Sequence, residues 1–190
     1  MVSEEIISGA QQQLLNLKEQ LNTIEIKPYQ SQILHSHDFR DIVIFNKKSE
    51  FSNCKSPIIY TIELVHSPKK KELLAVYNEF SVINKTKNKD RINHSKDNTE
   101  DNSSNYLYVG CSMKDFLGRL KYHLGVRDSI KPYSLHLSKW DKNLDYQIEI
   151  TTYQIINTEK KPINSIVVEA LEQQIWDKLK PLFGKRSGLL

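Results

Sequence analysis

The chain predicts an α+β fold: a small sheet of three strands covered by helices, behind an N-terminal helical extension. Strand-like alternation of aromatic and β-branched residues occurs three times, at 56–64, 106–110 and 144–153. Apolar residues recur at helical spacing four times, at 3–24, 69–83, 113–124 and 165–180. A length of 190 residues with 38% hydrophobic content suits one domain with an ordinary core plus an extension. The expected division is 1–55 as the helical extension and 56–190 as the domain proper, the latter carrying an inserted helix (69–83) and a polar loop (84–105).

Taken in order, residues 3–24 put Ile6, Ile7, Ala10, Leu14, Leu17, Leu21 and Ile24 on one stripe. The opposite face is rich in glutamine and not basic. Packing of this stripe on the domain is expected, with a helix-mediated dimer as the alternative. Asp41-Ile42-Val43-Ile44-Phe45 reads as a short strand. His35-x-His37 followed by Asp38 lacks the further ligands of a metal site, and its histidines read as solvated.

Ser56 to Leu64 is the first strong strand, with Tyr60 on the same face as Ile58 and Ile62. Residues 69–83 turn Leu73, Leu74, Val76, Tyr77 and Phe80 inward, and Lys69-Lys70-Lys71 stand at the helix start, against its dipole. In 84–105 Ile92 is the single apolar residue before Tyr106, so mobility is expected there; Lys85, Lys87, Lys89 and Arg91 read as a solvated linker or as contacts to nucleic-acid backbone.

The most informative stretch is Asn105–Leu124. Tyr106 to Val109 alternates as a strand, Gly110, Cys111 and Ser112 are read as the turn, and Ser112 as the helix N-cap. Phe116, Leu117, Leu120 and Leu124 then form a helical stripe, with Arg119 and His123 four apart on its flank. Further on, Leu135, Leu137 and Trp140 are packing residues, and Leu144, Tyr146, Ile148, Ile150 and Thr152 mark the third strand. Asn164 and Ser165 open the last helix, which stops at Lys180-Pro181.

On that last helix Glu172 falls inside the stripe formed by Val168, Leu171, Ile175 and Leu179. A carboxylate there is costly unless it is paired or holds a cation. A buried ion pair with Arg119 and a metal-binding role both satisfy that requirement.

The pieces Ile58-Ile59-Tyr60, Tyr108-Val109-Gly110, Arg119/His123 and Glu172 before Lys180-Pro181 stand in an order that resembles the GIY-YIG nuclease family over residues 56–186. The separation of Glu172 from Pro181 matches the family's nine residues. Ile58 stands where the first motif has glycine, Gly184 where many members have asparagine, and Cys111 where Ser, Lys or Gln often follows the glycine. From Tyr108 to Arg119 is 11 residues, one more than the usual spacing.

The resemblance implies a small three-stranded antiparallel sheet flanked by helices and a DNA endonuclease. Glu172 would hold Mg²⁺ or Mn²⁺, and Arg119 would neutralise charge on the phosphate. Tyr60, assisted by Tyr108, would position or deprotonate the attacking water, with cations lowering its pKa, and His123 would assist. All five would converge on one concave, basic surface. A nucleic-acid-binding relative that does not cut is the alternative.

Charge and composition agree with such a partner. The net charge is +4, and residues 57–190 carry 21 Lys/Arg against 16 Asp/Glu. No apolar run approaches the roughly 20 residues of a membrane span, no signal-peptide pattern opens the chain, and Cys54 and Cys111 form no C-x-x-C. A cytoplasmic protein with reduced thiols, acting on DNA and not on membranes, is the expectation.

Overall fold

In the computed structural model, which describes residues 4–55, 57–66, 68–98 and 103–186, a four-stranded antiparallel sheet is flanked by helices. The elements are α1 (Glu4–Asn22), β1 (Ile24–His35), α2 (Ile42–Lys48), β2 (Ile58–Leu64), α3 (Pro68–Thr86), β3 (Tyr106–Ser112), α4 (Phe116–Leu124), β4 (Gln147–Asn157) and α5 (Ser165–Leu179). The strand order is β1-β4-β2-β3, so β2 and β4 are central and β1 and β3 are edges. Ser3, Ser56 and residues 99–102, which belong to the expected first helix, first strand and polar loop, lie outside the described residues.

The sheet separates two cores. On one face Ile58, Tyr60, Ile62 and Leu64 pack with Phe116, Leu120 and Leu124 of α4 and Leu73 and Tyr77 of α3. On the other, Ile59, Val109, Ile155 and Val168 pack with Leu171, Ile175, Trp176 and Leu179 of α5. Period-two alternation along β2 sends Ile59 to the second core and its neighbours to the first. Ile62 pairs with Tyr108 but Glu63 with Tyr106, a bulge that lets Leu107 and Tyr108 both serve the first core.

Several expectations need correction. The sheet has a fourth strand, β1, which runs along β4 from Ile24↔Asn157 to His35↔Gln147, so residues 1–55 contribute to the sheet and are not purely helical. Pro28, which argues against an interior strand, is tolerated at an edge, and the register slips between Pro28 and Gln30. Residues 42–48 form a helix where a strand was expected. The Asp41 side chain accepts from the backbone N–H of Val43 at 2.6 Å and of Ile44 at 3.1 Å, and this cap outweighs the β-branched composition.

Most of the stripe of α1 stays uncovered, although Leu17 is half-buried and Ile24, just past the helix, packs against the second core. No residue of this helix is buried, and Ile6, Leu14 and Leu15 are more than half exposed. Its attachment is at the C-terminal end, where Gln20 donates to the Pro162 carbonyl and accepts from Asn164 N–H ahead of α5.

The polar segment after α3 is held through its side chains. Asn84 is buried, donating to the Ile92 carbonyl at 2.8 Å and accepting from Ile92 N–H at 2.9 Å. Tyr77 donates to the Ser95 carbonyl, and Asn98 donates to the carbonyls of Pro181 and Leu182. Against the expected mobility of 84–105, its described residues, 84–98 and 103–105, are stitched to the body at several points. Lys70 finds its use at the same place, donating to the carbonyls of Ser103 and Ser104.

Gly110, Cys111 and Ser112 belong to β3, and the helix cap is Asp115, not Ser112: its carboxylate accepts from Gly118 N–H at 2.8 Å. Asp115→Ala should lower stability in urea unfolding by about 1 kcal/mol, the usual worth of a cap. Ser112→Ala should lose no cap.

Candidate active site

Helix α4 lies against one face of the sheet and α5 against the other. Groups on the two helices can meet only around an edge, and β3 supplies that edge. Tyr108 reaches one face and Cys111 the other, so this strand carries contacts to both helices. Arg119 comes from α4 and Glu172 from α5, each half-buried, and Glu172 feels the charge of Arg119.

Tyr60 sits opposite Gly110 in the β2–β3 ladder and is fully enclosed. Its hydroxyl is 2.9 Å from Nε2 of His123, also fully enclosed. Leu135 N–H donates to Nδ1 of the same ring at 3.3 Å. That donor requires a lone pair on Nδ1, so the neutral ring carries its proton on Nε2 and donates it to Tyr60 Oη. The hydroxyl proton of Tyr60 is thereby left to donate elsewhere. Tyr108 packs on His123 with ring centroids 4.2 Å apart and lies 6.1 Å from the Tyr60 ring. Nη2 of Arg119 donates to Tyr108 Oη at 3.5 Å.

Gly110 makes this packing possible. A Cβ there would lie 2.6 Å from Cε1 of Tyr108 and 2.8 Å from Oη of Tyr60. Gly184, in the position of the family's asparagine, has φ +114° and borders the Tyr108 ring. A side chain is strained at that backbone angle, which gives a local reason for glycine here.

Burial dominates the electrostatics. It raises the Tyr60 pKa far above that of a free phenol, and Tyr108 adds to the shift; the nearby Arg119 guanidinium only partly opposes it. Tyr108 is raised for the same first reason. The expectation that cations would lower the Tyr60 pKa is therefore overturned: desolvation wins, and both residues remain neutral phenols. His123 is pushed well below the ordinary histidine range by burial, then by the charges of Arg119 and His136. The Arg119 pKa is raised: desolvation lowers it, but hydrogen bonds to Tyr60 and Tyr108, and the charge those phenols carry once ionised, outweigh this.

Glu172 has its pKa raised by burial and by Glu169, while a hydrogen bond from Cys111 and the charge of Arg119 act against this. Among the described residues it forms no ion pair with Arg119, so the expected buried-pair alternative is not what holds this carboxylate. Cys111, which sequence reasoning treated as a departure from pattern, is part of the site: burial and the neighbouring carboxylate raise its thiol pKa strongly. A cysteine one residue past the strand glycine, pointing away from Tyr60 and Tyr108, was the available signal.

The structure thus brings Tyr60, Tyr108, Arg119, His123 and Glu172 together from two strands and two helices. It does not place all five on a surface, because Tyr60 and His123 are sealed inside and Arg119 and Glu172 form the accessible part. Among the described residues no helix is long and apolar enough to cross a membrane. No protein family, curated protein or solved structure matches the chain.

Proposed function

We propose that the protein is a divalent-metal-dependent DNA endonuclease of GIY-YIG type, hydrolysing phosphodiester bonds by in-line attack of water. The observation that carries this reading is the convergence at the β3 edge of Arg119 with Glu172, a half-buried carboxylate lacking an ion-pair partner among the described residues. Glu172 fits a hard cation. It is an oxygen donor already stripped of part of its solvation, it has a second carboxylate, Glu169, beside it, and Mg²⁺ commonly binds through one or two carboxylates. A divalent cation held by Glu172 would supply Lewis-acid polarisation of the scissile phosphate and charge stabilisation for the departing oxygen.

The chain's own groups divide the remaining work. Arg119 presents a permanently charged planar fork to the phosphate oxygens. Tyr108, bonded to Arg119, and Tyr60 behind it act as neutral phenols that orient water and do not deprotonate it. His123 positions Tyr60 from inside the core and stays clear of the reacting atoms. The enclosure of Tyr60 and His123 favours a second reading, a relative that binds nucleic acid without cutting it.

Glu172→Gln separates the two readings. Cleavage of supercoiled, branched and single-stranded DNA should fall about 10²–10³-fold, the scale of losing one group that stabilises developing charge. DNA binding should persist, and thermal stability should be unchanged or higher because a desolvated charge has been removed. Arg119→Lys should also depress cleavage, since the charge survives and the fork does not. Wild-type inactivity on every DNA form with Mg²⁺ or Mn²⁺, or full activity in Glu172→Gln, would reject the nuclease reading.

A further inference from the structure

At the far end of β1 the buried Ser36 makes an unusual clamp. Its N–H donates to the Tyr146 carbonyl at 2.8 Å, its hydroxyl donates to the Leu144 carbonyl at 2.7 Å, and that hydroxyl accepts from Tyr146 N–H at 3.3 Å. One enclosed residue is thus bonded to both neighbours of Asp145. The residues on either side of Ser36 are His35 and His37. The clamp therefore sets His35, His37 and Asp145 side by side, and one ligand atom from each lies within 4.8 Å of the others. The expectation that His35-x-His37 lacks further ligands reckoned only with residues near in sequence; the third arrives from the chain entering β4.

The surroundings are those of ligands held from behind. Nε2 of His37 is 3.3 Å from Oδ1 of Asp38, a buried carboxylate also held by Lys48 Nζ and by His35 N–H. When Nε2–H donates to that carboxylate, Nδ1 is left with its lone pair. The amide nitrogen of Gln147 lies 2.6 Å from Nε2 of His35 and 3.4 Å from its Nδ1, so β4 holds this ring in place through an amide N–H. Second-sphere partners of this kind fix imidazole orientation at metal centres. Lys48 brings a positive charge near the cluster, but its ammonium is engaged by Asp38.

We infer that His35, His37 and Asp145 form a binding site for a borderline divalent transition-metal ion of the Zn²⁺ type. Two imidazoles and one carboxylate select such an ion over Mg²⁺ or Ca²⁺, which prefer all-oxygen sites. Three protein ligands leave a fourth position for water or an external group. The ion would join the end of β1 to the chain entering β4, and none of its ligands belongs to the proposed nuclease centre.

The test is a titration of the untagged full chain with Co²⁺, followed by its visible absorption, then displacement by Zn²⁺. One equivalent of Co²⁺ should bind, Zn²⁺ should displace it, and millimolar Mg²⁺ should not. His37→Ala and Asp145→Asn, both at exposed positions, should each weaken binding at least tenfold with an unchanged circular dichroism spectrum. A Zn²⁺-dependent rise in melting temperature should appear in the wild type and vanish in the double variant. Absence of stoichiometric Co²⁺ binding, or equal binding by wild type and double variant, would overturn the inference. DNA cleavage enters none of these readouts, so either proposal can fail without the other.

Discussion

Lowering the pH from 7 to 5 should destabilise the protein, and His123 should carry the largest single share. Its folded pKa is depressed by burial and by Arg119 and His136, whereas the unfolded chain takes up a proton near 6.5. Below that value the unfolded state binds more protons than the native one, so this stabilisation is complete above pH 6.5. It is lost as the pH falls from there toward the folded pKa. One such histidine contributes a slope of up to about 1.4 kcal/mol per pH unit. The groups around the ring, Tyr60 and Tyr108 as neutral phenols and Arg119 as a fixed cation, supply no compensating anion.

His94 and His136 are also depressed by burial and share this sign, so a residual slope is expected without His123. Glu172 has the opposite sign: its folded pKa is raised, and protonation relieves a buried charge as the pH falls through that value toward 4.5. The measurement is urea unfolding at a series of pH values for wild type and His123→Gln. Glutamine can still accept from Leu135 N–H and donate to Tyr60, yet it does not titrate. A slope reduced by about one proton is expected; an unchanged slope would remove His123 from this role.

Gly110→Ala should be among the most damaging single-methyl additions in the chain. The new carbon would stand under 3 Å from Cε1 of Tyr108 and from Oη and Cζ of Tyr60. These atoms cannot retreat easily. Tyr60 is fixed by His123 and packs against Phe116, while Tyr108 is wedged between His123 and the Gly184 backbone. Overpacking of this kind costs about 1–3 kcal/mol, and the rigid rings argue for the upper part of that range. Equilibrium unfolding should show the loss, and on the proposed nuclease reading DNA cleavage should fall with it because the displaced Tyr108 carries the bond to Arg119. Alanine at the exposed Gly9, with nothing within 4 Å of its Cβ, should leave the sheet and the cleavage rate untouched.

Strands and helices with a clear apolar period were legible in the sequence. Ile58–Leu64 and Tyr106–Val109 lie where alternation placed them, as does the Glu172 helix, while the strand expected at 144–153 forms as Gln147–Asn157, starting three residues later and running four further. β1 was not legible because an exposed edge strand carries little inward-facing pattern: Leu34 is its single buried residue. The helix at 42–48 was obscured because Ile42, Val43 and Ile44 favour strands by type, while one aspartate side chain set the outcome. The segment 84–98 was misread because its anchors are Asn84, Ser95 and Asn98, polar residues that composition counts as solvated. For the site, spacing located the residues but not their depth. Tyr60 and His123 are sealed in the core, where His123 accepts from Leu135 N–H, a backbone group that no side-chain pattern announces.

The strand order also dictates a timetable for synthesis. β1 emerges early but lies beside β4 alone, and Gln30 and Thr152, bonded across that pair, are 122 residues apart. At about 5–20 residues per second the first strand waits roughly 6–24 s for its partner. During that interval β2 and β3 can already pair, with α3 spanning them. β4 must then enter between a strand made long before and a finished hairpin, so the sheet closes from its middle and late. Stalling of the ribosome before residue 157 would leave the nascent β1 as an open edge, looking for another strand to join.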